Sequence, residues 1–112
     1  MGLALRTRRV LWTRLARRQL GGVVDFIALE SPVGAARLMR RVDERAATLS
    51  TLSKRGRLLL ESSGTSIREV FVGPYRTIYR VRDDAVEIIA FVHGARDVNP
   101  AASAAGVGSG DE

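Results

Sequence analysis

The sequence predicts an α+β fold in the order β-α-α-β-β-β. Two stretches carry apolar residues at three- and four-residue spacing, as one face of a helix requires. Three later runs alternate or are apolar throughout, as strands do, with turn residues between them. Two adjacent helices followed by consecutive strands imply a helical hairpin packed on one face of a mainly antiparallel sheet.

The first element is a short strand over Arg8 to Thr13, centred on Val10, Leu11 and Trp12. A helix follows, with Ala16, Leu20, Val23, Val24 and Ile27 on its inner stripe and Arg14, Arg17, Arg18 and Asp25 off it. Gly21 and Gly22 interrupt this helix, each at a cost of up to about 1 kcal/mol relative to alanine. Close approach of a neighbouring element is the expected reason for them. Ser31 is a good N-cap and Pro32 suits a first helical position. The second helix then buries Ala35, Leu38, Met39, Val42, Ala46 and Leu49. So short a connection makes the two helices an antiparallel hairpin.

From Lys54 to Ser66 the sequence reads as a loop, with Lys54-Arg55-Gly56-Arg57, the triplet Leu58-Leu59-Leu60 and Ser62-Ser63-Gly64. A three-stranded meander follows: Ile67 to Val72, Tyr75 to Arg82 and Val86 to His93, turned at Gly73-Pro74 and Asp83-Asp84. On the middle strand Tyr75, Thr77, Tyr79 and Val81 share one side, which suits core residues. Arg76, Ile78, Arg80 and Arg82 share the other. Residues 98–112 are rich in Ala, Gly and Ser and lack aromatics, so they read as a disordered tail. The expected domain is residues 1–97.

The chain has 112 residues, no cysteine and a net charge of +6. Disulfides, thiolate metal sites and cysteine nucleophiles are thereby excluded. No run is apolar and long enough to span a bilayer. The Arg-rich, acid-free start resembles a transit peptide, but it is poor in serine and continues in helical register. A cytoplasmic location is expected. The charge is localised: Arg6, Arg8, Arg9, Arg14, Arg17 and Arg18 precede the first acid, Asp25, and the other 12 basic residues balance the 12 acidic ones. Such a basic patch speeds encounter with acidic partners or nucleic acid.

Several of these residues together resemble the RelE/ParE toxin superfamily, and its ParE branch most closely. They are Trp12-Thr13, Ala16, Leu20, Val23 and Asp25-Phe26-Ile27; then Ser31-Pro32 with Ala35-Ala36, Gly56-Arg57 and Ile67-Arg68-Glu69-Val70; and lastly Tyr75 to Val81, Asp83-Asp84, Val86 to Val92 and His93 to Asp97. The resemblance covers about residues 10–97. The chain departs from it at Arg18-Gln19, where the family often has an acid before Leu20, and at Gly21-Gly22.

The resemblance implies a toxin neutralised by a cognate antitoxin, acting in a hetero-oligomer and without a cofactor. It leaves two mechanisms open. ParE-like members are inhibitors of DNA gyrase. RelE-like members cleave messenger RNA on the ribosome, a reaction that needs a base for the 2′-OH, stabilisation of the phosphorane and a proton for the leaving oxygen. Under the nuclease alternative the candidates are Arg68 and Arg76 for phosphate and His93 as general acid. Gly94, where some nucleases carry a catalytic tyrosine, and the lack of a lysine or glutamate constellation favour the gyrase reading. Under that reading Arg76, Arg80, His93 and Arg96 are candidates for target contact, and Arg14, Arg17 and Arg18 for antitoxin contact. The structural alternative pairs the strand arginines with Glu69 or Glu87 and has His93 bond the backbone at a strand end. A third class is a non-toxic basic nucleic-acid-binding module. No metal cluster or phosphate-cradling glycine loop is present in the sequence.

Overall fold

The computed structural model describes residues 7–95. The predicted tail, Arg96 and Arg6 lie outside the described residues. The elements run β1 (Arg9–Trp12), α1 (Arg14–Ala28), α2 (Pro32–Thr48), β2 (Arg57–Ser62), β3 (Thr65–Val72), β4 (Tyr75–Val81) and β5 (Ala85–His93). They form one five-stranded sheet in the order β1-β5-β4-β3-β2. β1 runs parallel to β5, and β2 to β5 form an antiparallel run.

Both helices start where their caps dictate. The Thr13 hydroxyl accepts from the Ala16 N–H at 3.1 Å and ends β1 one residue earlier than the sequence suggests. Ser31 accepts from the Gly34 N–H at 2.9 Å, and Pro32 opens α2. Each bond satisfies an N–H that the first helical turn leaves unpartnered. The helices pack on each other, α1 against β5 and α2 against β3. Beneath them lie two apolar clusters. One holds Ala16, Ala46, Leu49, Val70, Tyr79, Val81, Val86 and Ile88. The other holds Leu20, Leu38, Val42, Val72 and Phe91.

The meander has four strands, not three. The segment expected as loop forms β2, paired with β3 from Arg57↔Glu69 to Ser62↔Thr65. Ser63 and Gly64 both have positive φ, +50° and +77°, the geometry of a two-residue hairpin turn. Three consecutive leucines hid the strand, because a bulge between Leu58 and Leu60 breaks the two-residue alternation.

A second bulge lies between β4 and β5, where Ile78 faces Ala90 and Tyr79 faces Ile88. It shifts the phase of β5. Val86 and Ile88 face the helices before it, and Phe91 faces them after it. Ile89 and Ala90 instead join Ile67 and Ile78 in a third cluster, on the sheet face away from the helices.

The glycines in α1 require a correction. A Cβ added at Gly21 or Gly22 would meet no atom within 4 Å, so no neighbouring element demands them. Close approach does occur at Gly56. A Cβ there would sit 2.5 Å from the Tyr79 hydroxyl and 2.6 Å from the Glu69 carbonyl oxygen.

Candidate functional site

The polar side chains of the meander mostly satisfy one another. Glu69 is buried, its side chain 1% exposed, and it accepts from Arg57 Nε and Nη2 at 3.0 and 2.5 Å and from Arg76 Nε at 2.6 Å. Burial works to raise its pKa, but these charged hydrogen bonds outweigh it and hold the carboxyl below its ordinary value. Glu87 follows the same logic: burial raises its pKa, and bonds from Arg82 and Arg80, at 2.9 and 3.0 Å, bring it down. The Arg68 guanidinium donates to the carbonyls of Lys54 and Gly56 and to Ser66 Oγ, at 3.2, 3.0 and 3.2 Å. The Tyr79 hydroxyl accepts from the Gly56 N–H at 2.9 Å. Together these bonds clamp the α2–β2 connection to the sheet.

The three nuclease candidates therefore do not converge. Arg76 reaches Glu69 on the sheet face away from the helices. Arg68 lies in the row Arg68–Tyr79–Ile88, and His93 in the row Val72–Tyr75–His93, four residues away along β4. The exposed His93 accepts a bond at Nδ1 from the Ala95 N–H at 3.1 Å, which leaves Nε2 to carry the proton of the neutral ring. Beside it Gly94 donates to the Pro74 carbonyl at 2.7 Å, and a Cβ at Gly94 would lie 3.0 Å from that oxygen and 3.1 Å from the Phe71 ring. A side chain there requires the Pro74 carbonyl and the Phe71 ring to give by a few tenths of an ångström.

An open surface lies at the other edge of the sheet. β1 stops at the pair Trp12↔Ile88, so the second half of β5, residues 89–93, has no strand on its outer side among the described residues. The Gln19 side chain takes the place of a strand there, its Oε1 accepting from the Phe91 N–H at 2.9 Å. Between this edge and α1 runs a shallow groove of about 370 Å³. Arg18, Gly22, Val23 and Phe26 line it from the helix, and Tyr75, Phe91 and His93 from the sheet. The rings of Tyr75 and Phe91 stack at 5.2 Å, and His93 meets Tyr75 edge-on at 5.8 Å. Phe26 is 73% exposed, and the patch continues onto Leu29 and Val33, 83% and 68% exposed, at the tip of the helical hairpin. Exposed apolar residues clustered within a polar rim mark an interaction surface.

Comparison with known proteins places the chain. The family model for the ParE toxin of the type II toxin–antitoxin system parDE matches residues 10–98. The chain belongs to the ParE toxin family. Toxin RelE2 of Caulobacter vibrioides is 36% identical to it over 89 residues, 79% of this chain and 97% of that protein. Two solved structures share the fold. The chromosomal ParDE system of P. aeruginosa matches with a TM-score of 0.63 at 21% identity, over 79% of this chain and 97% of the other. The archaeal RelE–RelB complex of Pyrococcus horikoshii matches with a TM-score of 0.61 at 19% identity, over 81% and 99%.

In this ParE-family chain the residues that carry the resemblance build the clamp and also line most of the groove, through Val23, Phe26, Tyr75, Phe91, Val92 and His93; the other lining residues, Arg18, Gln19 and Gly22, are where the chain departs from the pattern. Gly56-Arg57, Arg68-Glu69, Arg76 and Tyr79 build the clamp. Arg80 pairs with Glu87 on the same sheet face as Arg76. Of the helix arginines, Arg14, Arg17 and Arg18 are exposed on α1, and Arg18 reaches the groove. Arg8 serves the scaffold, donating to the Arg82 carbonyl at 2.7 Å and to Ser53 Oγ at 3.0 Å. Arg96 lies outside the described residues. Sequence reasoning did not single out Gln19, Phe26 or Phe91 as site residues. The available signals were the departure at Arg18-Gln19 and an aromatic on the polar side of an amphipathic helix. Among the described residues no group of acids and histidine could hold a metal ion, and no helix is long and apolar enough to cross a membrane.

Proposed function

We propose that this ParE-family toxin is a binding inhibitor of DNA gyrase, held in check in the cytoplasm by a cognate antitoxin that covers α1 and its groove. The observation that carries the reading is the dispersal of Arg68, Arg76 and His93. General acid–base cleavage needs donor and acceptor within about 3 Å of the same reacting phosphate, and these side chains lie on two sheet faces or at separate rows of one. The three bonds that tie Arg68 to Lys54, Gly56 and Ser66 and the tight space at Gly94 support the same conclusion.

The antitoxin contact follows from the α1 surface. A segment that lays an apolar side chain between Phe26, Tyr75 and Phe91 and places acids against Arg14, Arg17 and Arg18 matches both its shape and its charge. With Arg76 and Arg80 drawn in by Glu69 and Glu87, target contact falls to His93, at the end of β5, and to Arg96, which lies outside the described residues. The RelE-like alternative, a ribosome-dependent mRNA endonuclease, keeps one support: the 36% identical relative carries the RelE name.

Expression of the toxin alone in a bacterial host separates the two. The expected outcome is slowed growth with DNA breaks and an SOS response, restored by the adjacent antitoxin gene. His93→Gln should remain toxic, because a binding inhibitor loses one contact, whereas a general acid typically contributes ~10²–10⁴-fold. Cleavage of messenger RNA in ribosomal A sites, abolished by His93→Gln in a folded variant, would overturn the gyrase reading.

A further inference from the structure

Counted by element of the fold, the positive charge falls unevenly. Residues 57–93, the four antiparallel strands with their turns, hold five basic and five acidic residues and are neutral. α2 and its connection to β2 hold Arg37, Arg40, Arg41, Arg45, Lys54 and Arg55 against Asp43 and Glu44, which is +4 of the chain's net +6. On the sheet, Arg57, Arg76, Arg80 and Arg82 meet Glu69 or Glu87. None of the six basic groups on α2 and the connection lies within 4 Å of a carboxylate among the described residues. Arg37, Arg41 and Arg45 follow one another at single-turn spacing, about 6 Å apart along the helix, with Arg40 beside them. The row continues past the end of α2, where Arg55 Nη1 donates to Thr48 Oγ1 at 3.0 Å. Arg41, Arg45 and Thr48, with Glu44 and Val72, line a cavity of about 180 Å³ between α2 and the end of β3.

We propose that this face binds the phosphate backbone of double-stranded DNA, without regard to base sequence. Three observations select that ligand. A protein partner needs apolar anchors at the centre of its contact. From Arg37 to Arg55 the one large apolar side chain that is exposed is Leu52, in the connection. The α1 groove, by contrast, offers Phe26, Tyr75 and Phe91. Single-stranded nucleic acid is held by stacking its bases on aromatic rings, and residues 32–56 contain none. A duplex backbone is bound by charge, and five of the six basic groups are arginines, whose planar fork gives a phosphate two parallel N–H bonds. A straight row on a 17-residue helix suits the regular strand of a duplex. Arg45 has a second use, since it offsets the negative end of the α2 dipole. Arg37, Arg40 and Arg41 are exposed, and their side chains make no hydrogen bond or ion pair among the described residues. They are the core of the site.

The test is fluorescence anisotropy of the purified full chain, without antitoxin, on a short labelled duplex of arbitrary sequence and on one of its single strands. Release of counterions gives log K against log salt a slope of about −0.9 per phosphate neutralised. Contacts by Arg37, Arg40, Arg41 and Arg45 therefore predict a slope of roughly −3 to −4 on the duplex. Two triple variants separate a site from mere net charge, because each removes three positive charges. Replacing Arg37, Arg40 and Arg41 by Gln should weaken duplex binding roughly a hundredfold near 0.1 M salt and flatten the slope by two to three units, in line with about −0.9 per lost contact. Replacing Arg14, Arg17 and Arg18 by Gln should leave the slope nearly as it was. Melting temperatures near that of the parent confirm that both fold, and Arg40→Gln alone carries the test if the α2 triple does not. No duplex binding at low salt, equal weakening by the two triples, or tighter binding to the single strand overturns the proposal. So does slower antitoxin association in the α2 triple with duplex binding unchanged, which would give the row to the antitoxin. Toxicity and gyrase inhibition do not enter these readouts, so failure here leaves the toxin reading untouched.

Discussion

The Glu69 clamp and the α1 groove use similar side chains in opposite ways. In the clamp, two arginines meet one buried carboxylate, and a tyrosine hydroxyl and a guanidinium satisfy the backbone of the α2–β2 connection. In the groove, an arginine, a histidine and an exposed phenylalanine surround a stretch of β5 that is paired with β4 on one side and has no strand on the other among the described residues. The first arrangement is closed: its polar groups have found each other. The second is open, and the Phe91 N–H there is met by the side chain of Gln19. A partner has purchase only on the open one. Residues that make the family recognisable occur in both, but the groove residues at which this chain departs from the family pattern, Arg18, Gln19 and Gly22, all lie on α1, which makes that helix the place to look for partner specificity.

If the clamp is closed in this sense, breaking it should have the largest effect. Glu69→Gln removes the charge that holds Arg57 and Arg76. Loss of one member of a buried ion pair typically costs about 3–5 kcal/mol, and the lower end is expected because Arg57 is largely exposed. Urea unfolding of the two proteins measures it. The pH dependence has a definite sign. The Glu69 and Glu87 carboxyls are held below their ordinary value in the fold, so their stabilisation is complete above the unfolded value of about 4.3. It is lost as pH falls through the lower folded values. Glu69→Gln should flatten part of that acid limb and leave the Glu87 part. An unchanged acid limb would show that Glu69 titrates alike in both states.

Tyr79→Phe is the milder break. It keeps the buried ring and removes the acceptor for the Gly56 N–H, leaving a buried donor unmet at a cost of about 1–3 kcal/mol. Faster hydrogen exchange at Gly56, with α1 unaffected, would locate the damage in the clamp. Uniform loosening of both helices would mean that the clamp and the groove are not separate.

The groove is tested by charge. Reversing Arg14, Arg17 and Arg18 to Glu should slow association with the antitoxin about tenfold at low salt and flatten its salt dependence, since charge acts on encounter more than on the final contact. Stopped-flow association measures this. An unchanged on-rate at low salt would remove these residues from the interface.

What the sequence disclosed follows the same division. Regular periodicity located α1 and α2, and Ser31-Pro32 set the start of α2. Alternation placed Tyr79 in the core and put Arg76 and Arg80 opposite it, where the pairing with Glu69 and Glu87 was the structural alternative. Both bulges were illegible. One hid β2 inside three leucines. The other lies in the apolar run of β5 and changes which face Phe91 and His93 occupy. The groove depends on that phase shift, so it could not be drawn from alternation. The burial of Glu69 was not legible, because one of its two arginine partners, Arg57, comes from β2, the strand that reads as a loop in the sequence.

The smallest effect expected is also the most discriminating. Gly21 and Gly22 stand mid-helix with open space where a Cβ would go, so each lowers the stability of α1 without serving the packing of the described residues. Replacing either by alanine should stabilise the chain by about 0.5–1 kcal/mol, through reduced freedom of the unfolded state and better helix propensity. The two positions differ in one respect: Gly22 lines the groove and Gly21 does not. If a partner's backbone lies close against α1, the methyl of Gly22→Ala intrudes and that of Gly21→Ala does not. Both variants should then melt a few degrees higher, and only Gly22→Ala should bind antitoxin more weakly, mainly through faster dissociation. Equal antitoxin affinity for the two variants would mean that the partner spans the groove without entering it, with its anchoring moved out to Phe26, Leu29 and Val33 at the hairpin tip.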